Sequence, residues 1–152
     1  IWHDCPHRAL ILRQVPNARS TDLAAHGLRI EMMGFAGSFL SMSVDLPPAA
    51  LQGLTRDHII RLEAAIEVER AQQVYFRLNV GNGPNTEELL RHRDGVVPGQ
   101  VCQSVTEFDL ALTQMNEKRL DKIWLDVIFE KPLMNAVTIR EMILSRHPRA
   151  QV

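Results

Sequence analysis

Regular alternation of apolar and polar residues constrains the fold of this chain more than any other sequence feature. Successive side chains of an extended strand point to opposite faces, so a period of two indicates a strand with one buried face. The clearest segment spans residues 38–46, where one face carries four apolar side chains: Leu40, Met42, Val44 and Leu46. The residues between them are serine or aspartate. This segment therefore predicts a half-buried strand.

The same alternation recurs along most of the chain. It predicts further strands at 9–12, 28–32, 60–68, 74–80, 106–113, 122–129 and 137–144. Residues 60–68 also have good helix composition, but a helical apolar stripe would have to include Glu63, so we favour a strand. The alternation slips near Glu141 and Met142, which suggests a β-bulge in the last strand.

Clusters of glycine, proline and asparagine separate these segments, and long amphipathic helices are not predicted between them. Short helices are expected at 49–54 and 87–92, the second with Asn85 as N-cap and Glu88 three positions later. This pattern predicts an all-β fold, an antiparallel β-sandwich of jelly-roll (galactose-binding-like) type. We expect one domain over residues 1–152, with a flexible tail at 146–152.

Composition excludes several classes of function. The 152 residues are 45% apolar and 23% charged, which is typical of a globular domain. With 17 basic and 18 acidic residues the net charge is −1, so the chain has no field that would attract nucleic acid. No apolar run is long enough to span a membrane. Cys5 and Cys102 are expected to be free thiols, which weakly favours the cytoplasm.

The polar faces opposite the apolar rows supply the main candidate site. If the strands at 74–80, 106–113 and 122–129 share one sheet, a set of polar and aromatic side chains projects from its outer side. The set comprises Tyr75, Arg77, Asn79, Asp109, Trp124 and Asp126, with Arg140 joining from the last strand. Such groups suit a carbohydrate-like ligand, because the polar groups bond hydroxyls and an aromatic ring offers an apolar platform. Alternatively, Arg77 pairs with Asp109 or Asp126 across strands, and Trp124 merely covers the sheet.

Two other groups of residues have weaker claims to a site. Residues 81–86 form a glycine- and asparagine-rich loop in which Asn82 and Asn85 are candidate ligand-binding residues. An ordinary turn, with Asn85 capping the next helix, is the favoured alternative. The cluster of histidine, aspartate and cysteine at residues 3–7 is too compact to surround one tetrahedral ion. We predict neither a metal site nor a cofactor.

Three functions remain open. The first is a non-catalytic binding module that holds a carbohydrate on one sheet face or its rim loops. The alternative is a protein interaction or assembly domain that uses the same face, including Trp124 and Ile128. A third is a hydrolase using Asp109 and Asp126, although the sequence lacks the motifs of familiar hydrolases and more strongly suggests a protein that is not an enzyme. The oligomeric state is left open.

Several short stretches carry a resemblance to a known family. They include His-Asp-Cys-Pro at 3–6, Gly-Ser-Phe-Leu-Ser at 37–41, Val-Asp-Leu-Pro at 44–47, Arg-Leu-Asn-Val at 77–80, Gly-Pro-Asn-Thr-Glu at 83–87, Met-Asn-Glu-Lys-Arg at 115–119, Trp-Leu-Asp at 124–126 and Ser-Arg-His-Pro-Arg-Ala at 145–150. The chain resembles an uncharacterised family of alphaproteobacterial domains of unknown function, of the Rhodobacter and Roseobacter type. The resemblance implies the C-terminal domain of a longer protein, and it implies no activity.

Overall fold

The computed structural model describes residues 1–5, 10–17, 25–93 and 95–149. The regular structure of these ranges consists of ten β-strands, a single turn of α-helix and a 3₁₀ turn. The strands are β1 (Trp2–His3), β2 (Leu10–Pro16), β3 (His26–Phe35), β4 (Phe39–Asp45), β5 (His58–Val68), β6 (Gln73–Asn82), β7 (Asn85–Arg93), β8 (Val101–Asp109), β9 (Leu120–Glu130) and β10 (Leu133–Pro148). The helix α1 spans Pro48–Leu51, and a 3₁₀ turn spans Leu110–Leu112.

Two antiparallel sheets of five strands form a sandwich. Sheet A has the order β1-β4-β9-β6-β7, and sheet B has the order β2-β3-β10-β5-β8. Most neighbours are distant in sequence, as β4 and β9 or β3 and β10 are, whereas β2–β3 and β6–β7 pair consecutive strands. The chain therefore crosses repeatedly between the sheets. The predicted jelly-roll β-sandwich is confirmed.

The apolar rows meet between the sheets. Leu40, Leu62 and Leu78 are 0% exposed, as the alternation predicts for an inward row. Four phenylalanines are among the largest fully buried side chains: Phe35, Phe76, Phe108 and Phe129. Because these rows lie inward, the intervening residues of each strand are placed on one of two outer faces.

Residues 58–68 and 85–93 show how pairing decides between helix and strand. The first segment forms β5, so the prediction of a strand over a helix is confirmed. The second forms β7, so the predicted helix at 87–92 and the cap at Asn85 are wrong. Gly83, with φ of 56°, and Pro84 form a two-residue turn, and Leu89 then pairs with Leu78 of β6. Pairing with β6 satisfies the backbone of this segment, which outweighs the local capping pattern.

Three smaller predictions can be compared with the structure. The predicted bulge is confirmed, since the register of β10 against β5 shifts between Ile139 and Glu141. The strand predicted at 106–113 ends at Asp109, because the 3₁₀ turn follows it. The flexible tail predicted at 146–152 overlaps β10, which continues to Pro148 and pairs there with His58, and residues 150–152 lie outside the described ranges. Within the described ranges, no helix has the length and apolar character needed to cross a membrane.

Candidate functional site

The outer face of sheet A is organised in rows that run across its strands. Strand register places side chains of one row directly opposite each other. Row 1 contains Trp2, Ser41, Ile128, Tyr75 and His92, in the order β1, β4, β9, β6 and β7. Row 2 contains Ser43, Asp126, Arg77 and Leu90. Row 3 contains Asp45, Trp124, Asn79 and Glu88.

A cleft of about 340 Å³ opens where these rows cross β1, β4, β9 and β6. It is lined by Trp2, Phe39, Ser41, Ser43, Arg77, Trp124 and Asp126. Three of these side chains are aromatic, and the others are hydroxylic or charged. The cleft, which we call the sheet A cleft, therefore combines an apolar wall with a polar floor.

Asp126 organises the floor. Its side chain is 4% exposed, and its Oδ2 accepts hydrogen bonds from Arg77 Nη2 at 2.8 Å, Arg77 Nε at 3.0 Å and Asn79 Nδ2 at 2.9 Å. Its Oδ1 accepts a bond from Ser43 Oγ at 2.5 Å. Such a saturated buried carboxylate is well placed to orient its donors, as charge-assisted bonds are the stronger ones.

Arg77 is the floor residue through which this network reaches the cleft. One third of its side chain is exposed, and its Nη1 group takes part in none of the bonds to Asp126. Asn79 is 1% exposed, so it holds Asp126 rather than facing the cleft. The alternative that Arg77 pairs with Asp126 across strands is confirmed, and the pairing fixes the direction of the guanidinium.

Two tryptophans flank the floor from different rows. Trp2 is 73% exposed, and Trp124 is half-buried beneath the ammonium of Lys122, which lies 5.2 Å from the ring centroid. Gly81 lies opposite Lys122, where a Cβ would come within 3.2 Å of the Lys122 carbonyl oxygen, a tight contact. The same Cβ would lie 3.8 Å from Cζ3 of the Trp124 ring, which is an ordinary van der Waals distance.

Asp4 fixes the short strand that carries Trp2. Its carboxylate accepts hydrogen bonds from the backbone N–H of Ser38 at 2.7 Å, from the Ser38 hydroxyl and from the backbone N–H of Phe39 at 3.4 Å. The Ser38 hydroxyl bond is the largest cause that lowers the pKa of Asp4 below its usual value, followed among the lowering causes by the backbone bonds. A Cβ on Gly37 would lie 2.5 Å from Asp4 Oδ1, so only glycine fits this contact.

Tyr75 and His92 form an aromatic pair at the other end of row 1. Their ring centroids are 4.8 Å apart with an interplanar angle of 33°. His92 Nε2 lies 2.5 Å from Gln73 Oε1, and the Tyr75 hydroxyl donates to Glu130 Oε2 at 3.4 Å. Row 1 therefore has aromatic side chains at both ends.

The structure brings together five of the seven predicted face residues. Tyr75, Arg77, Asn79, Trp124 and Asp126 all lie in sheet A. The other two were placed wrongly, because β8 and β10 belong to sheet B. Asp109 accepts a bond from the Ala111 backbone at 3.0 Å and pairs with Arg149 at 3.3 Å. Arg140 pairs with Glu67 at 3.1 Å at the β10 bulge.

The proposed carboxylate pair for hydrolysis does not form. Phe108 and Leu125 point into the core, so Asp109 and Asp126 project from opposite outer faces of the sandwich. One cleft cannot be lined by both. Across the described residues, no cluster of three or more histidine, cysteine, aspartate or glutamate side chains could hold a metal ion.

The candidate loop at 81–86 is a tight hairpin instead. Asn82 and Asn85 face each other as the last pair before the turn. Asn82 is 8% exposed and its Oδ1 has no hydrogen-bond partner, whereas Asn85 is exposed. Gly83 donates its backbone N–H to Asp121 Oδ2 at 2.8 Å, which pins the turn.

Sequence reasoning missed several residues of the cleft. Ser41 and Ser43 were visible on the polar face of the strand at 38–46, but nothing in the alternation of that strand shows which strand lies beside it. Trp2 lies on a strand of two residues, which is too short to show any period. Phe39 belongs to the cleft because Asp4 holds the β1 segment against the start of β4.

Comparison with known proteins identifies a sequence family that the chain matches and solved structures that have a similar fold. The sequence matches the family described as Family of unknown function (DUF6478) over residues 1–152. No curated protein is similar to it in sequence.

Solved structures with similar folds include an enzyme domain and two carbohydrate-binding modules. The enzymatically active domain of bacteriophage CBA120 tailspike protein 4 has a TM-score of 0.63 at 5% identity, over 95% of this chain and 19% of that one. The CBM22-1 xylan-binding domain of Paenibacillus barcinonensis Xyn10C has a TM-score of 0.56 at 9% identity, over 93% and 83%. The C-terminal family 22 carbohydrate binding module of Clostridium thermocellum Xyn10B has a TM-score of 0.54 at 13% identity, over 95% and 92%. At these identities the likeness shows the fold.

Proposed function

The chain belongs to the DUF6478 family, and we propose that it is a non-catalytic module that binds a carbohydrate in the sheet A cleft. The observation that carries this proposal is the polar floor of Asp126 and Arg77 between the rings of Trp2 and Trp124. The carbohydrate-binding modules of similar fold support the proposal without locating a site in this chain.

Sugar chemistry matches this arrangement. A sugar ring has an apolar C–H face and a rim of hydroxyl groups, so it needs both an aromatic surface and hydrogen-bonding partners. Trp2 and Trp124 offer the aromatic surface, while Arg77 offers donors and the exposed Ser43 offers its hydroxyl oxygen as an acceptor. Among the predicted residues, we retain Arg77, Trp124 and Asp126 for the cleft, with Tyr75 at its extension along row 1.

The cleft lining argues for binding without hydrolysis. Glycoside hydrolysis ordinarily uses two carboxyl groups that flank the scissile bond. Asp126 is the one carboxylate among the side chains that line the cleft, and both of its oxygens already accept hydrogen bonds. A ligand in this cleft therefore meets a rigid floor and no pair of acid and base.

A glycan array followed by isothermal titration calorimetry tests the proposal. Trp124→Ala should weaken binding of the best glycan by about tenfold or more, because an aromatic platform at the centre of an interface is lost. Val105→Ala, an exposed apolar truncation on the outer face of sheet B, should leave the affinity unchanged. Absence of binding to any glycan, or equal losses in both variants, would refute the proposal.

A second candidate is a protein interaction domain that uses the same face. Trp2, Phe39 and Leu90 are 73%, 38% and 53% exposed, and exposed apolar side chains are a feature of partner surfaces. Sedimentation velocity across a range of protein concentrations tests self-association. Dimerisation that Trp2→Ala abolishes, without glycan binding, would favour this candidate over the first.

Three expectations stay predictions. They are the alphaproteobacterial affiliation of the chain, its place at the C-terminal end of a longer protein, and the weak indication of a cytoplasmic location.

A further inference from the structure

We infer that the ligand of the sheet A cleft is an extended polysaccharide without charged groups, rather than an acidic one. This inference rests on the proposed function and adds the class of ligand to it. Two observations carry it: the balance of charge on the outer face of sheet A, and the direction in which its rows run.

Carboxylates outnumber cations on this face. The outer rows of β4, β6, β7 and β9 contain four carboxylates and two cations, a formal net charge of −2. The carboxylates are Asp45, Glu88, Asp126 and Glu130, and the cations are Arg77 and Lys122. A polymer of uronic acids or sulphated sugars would meet a surface of its own sign.

Both cations already have an anionic partner. Arg77 Nη2 lies 2.8 Å from Asp126 Oδ2, and Lys122 Nζ lies 3.4 Å from Asp45 Oδ1. Glu88 and Glu130 make no ion pair with any part of the chain that the structure describes. The face therefore has hydrogen-bond donors for hydroxyl groups but lacks a surplus of positive charge among the described residues.

The rows indicate an extended ligand. Row 1 crosses all five strands of sheet A, from Trp2 on β1 to His92 on β7. Four inter-strand spacings make this row about 19 Å long. Aromatic side chains stand at both of its ends, and row 2 runs parallel to it, polar from Ser43 to Arg77 and apolar at Leu90. Such a surface fits several consecutive sugar units that lie across the strands. A monosaccharide would not fill it.

Matched pairs of polymers test the charge. Binding of the wild-type protein is measured by affinity electrophoresis and calorimetry against polygalacturonate and its methyl ester, and against dextran sulfate and dextran. Xylan, galactan and mannan extend the uncharged group. We expect binding to at least one uncharged polysaccharide, with an affinity that added salt leaves unchanged, and no tighter binding to either acidic polymer.

Two charge variants make the test specific to this face. Glu88→Lys changes the net charge of the sheet A face by two units, while Glu63→Lys makes the same change on the outer face of sheet B, where Glu63 is exposed. Glu88→Lys should raise the affinity for dextran sulfate by about tenfold over the Glu63→Lys control at low salt. If the two variants gained affinity for dextran sulfate equally, the charge of the sheet A face would not be what controls binding, and this part of the inference would be wrong.

The outcomes separate this inference from the function on which it rests. Tightest binding to an acidic polymer, weakened by salt and by Trp124→Ala, would overturn the inference and leave a carbohydrate-binding cleft in place. A monosaccharide that binds as tightly as its oligomers would overturn the extended ligand. Absence of binding to every polymer would overturn both the inference and the proposed function.

Discussion

The two outer faces of the sandwich obey the same alternation but are built differently. Sheet A concentrates aromatic rings around one buried carboxylate, whereas sheet B carries pairs of oppositely charged side chains across its strands. On sheet B, Arg13 and Arg29 both bind Glu31, Arg29 also binds Glu69, and Arg61 binds Glu107. Cross-strand ion pairs of this kind cover a surface with solvated charge.

Sheet B also has a depression, and its lining shows the contrast. This depression of about 270 Å³ is lined by Glu63, Ala65, Gln103, Glu141 and neighbouring residues, without an aromatic ring. A concave shape is therefore present on both faces, but only sheet A surrounds it with rings and a fixed polar floor. The comparison teaches that side-chain chemistry, rather than concavity, distinguishes the candidate site.

The largest expected effect compares a buried ion pair on sheet A with an exposed one on sheet B. Asp126→Ala should lower the free energy of unfolding by about 1–3 kcal/mol, because it leaves the buried Asn79 amide without its acceptor and Arg77 without its partner. Glu107→Ala, whose pair with Arg61 is exposed, should cost about 0–1 kcal/mol. Urea denaturation of both variants measures the difference, and similar losses would contradict the assigned roles.

The fold was largely predictable because alternation is a local property. The rows of β4, β5, β6 and β9 follow from the side-chain period alone. The partition of strands between sheets was not predictable, since β8 and β9 show similar alternation and only long-range pairing separates Asp109 from Asp126. The strand β7 was misassigned because Asn85 and Glu88 match a helix cap, whereas its pairing with β6 depends on the turn at Gly83.

The second expected effect concerns the attachment of β1, which has no counterpart on sheet B. Gly37→Ala should place a Cβ against the Asp4 carboxylate and the Cys5 backbone, 2.5 Å and 2.9 Å away, and so displace the strand that carries Trp2. We expect glycan affinity to fall by about tenfold, as a wall of the cleft is lost. Gly99→Ala, in a turn after β7, has φ of 83° and open space around it, so it controls for general glycine strain. Unchanged affinity in Gly37→Ala would remove Trp2 from the site.

A smaller effect is expected when the pH is lowered, and it should differ between a carboxylate that holds sheet A, Asp4, and one on sheet B. Hydrogen bonds lower the pKa of Asp4 in the folded state, so its stabilising contribution is present above the unfolded value near 3.8 and disappears as pH falls through the folded pKa. As pH falls below 3.8 and through the folded pKa of Asp4, β1 should loosen from Ser38, and the indole N–H resonance of Trp2 should shift. Asp4→Asn should show the shifted resonance already at neutral pH.

Glu31 is the matching carboxylate on sheet B. Hydrogen bonds from Arg29, and then from Arg13, lower its pKa, so its contribution also disappears in acid. Because the hydrogen bonds of Glu31 run to Arg13 and Arg29 on the outer face of sheet B, and not to the Ser38 contact of Asp4, Glu31→Gln should leave the Trp2 resonance and its pH dependence unchanged. If the Trp2 resonance changed in Glu31→Gln but not in Asp4→Asn, the conclusion that Asp4 holds β1 in place would be wrong.

The smallest effect is expected at the Arg61 and Glu107 pair, where the side chains are 35% and 47% exposed. A double-mutant cycle with alanine at both positions should give a coupling energy of about 0.2–1 kcal/mol, because solvent screens the pair and ordering two long side chains costs entropy. This coupling should shrink in 1 M salt, where charges on an exposed face are screened within about 3 Å. The corresponding cycle for Arg77 and Asp126 should keep most of its coupling in salt, since Asp126 is buried. Equal salt sensitivity in the two cycles would mean that sheet A holds its charges as sheet B does, and the rigid polar floor would lose its physical basis.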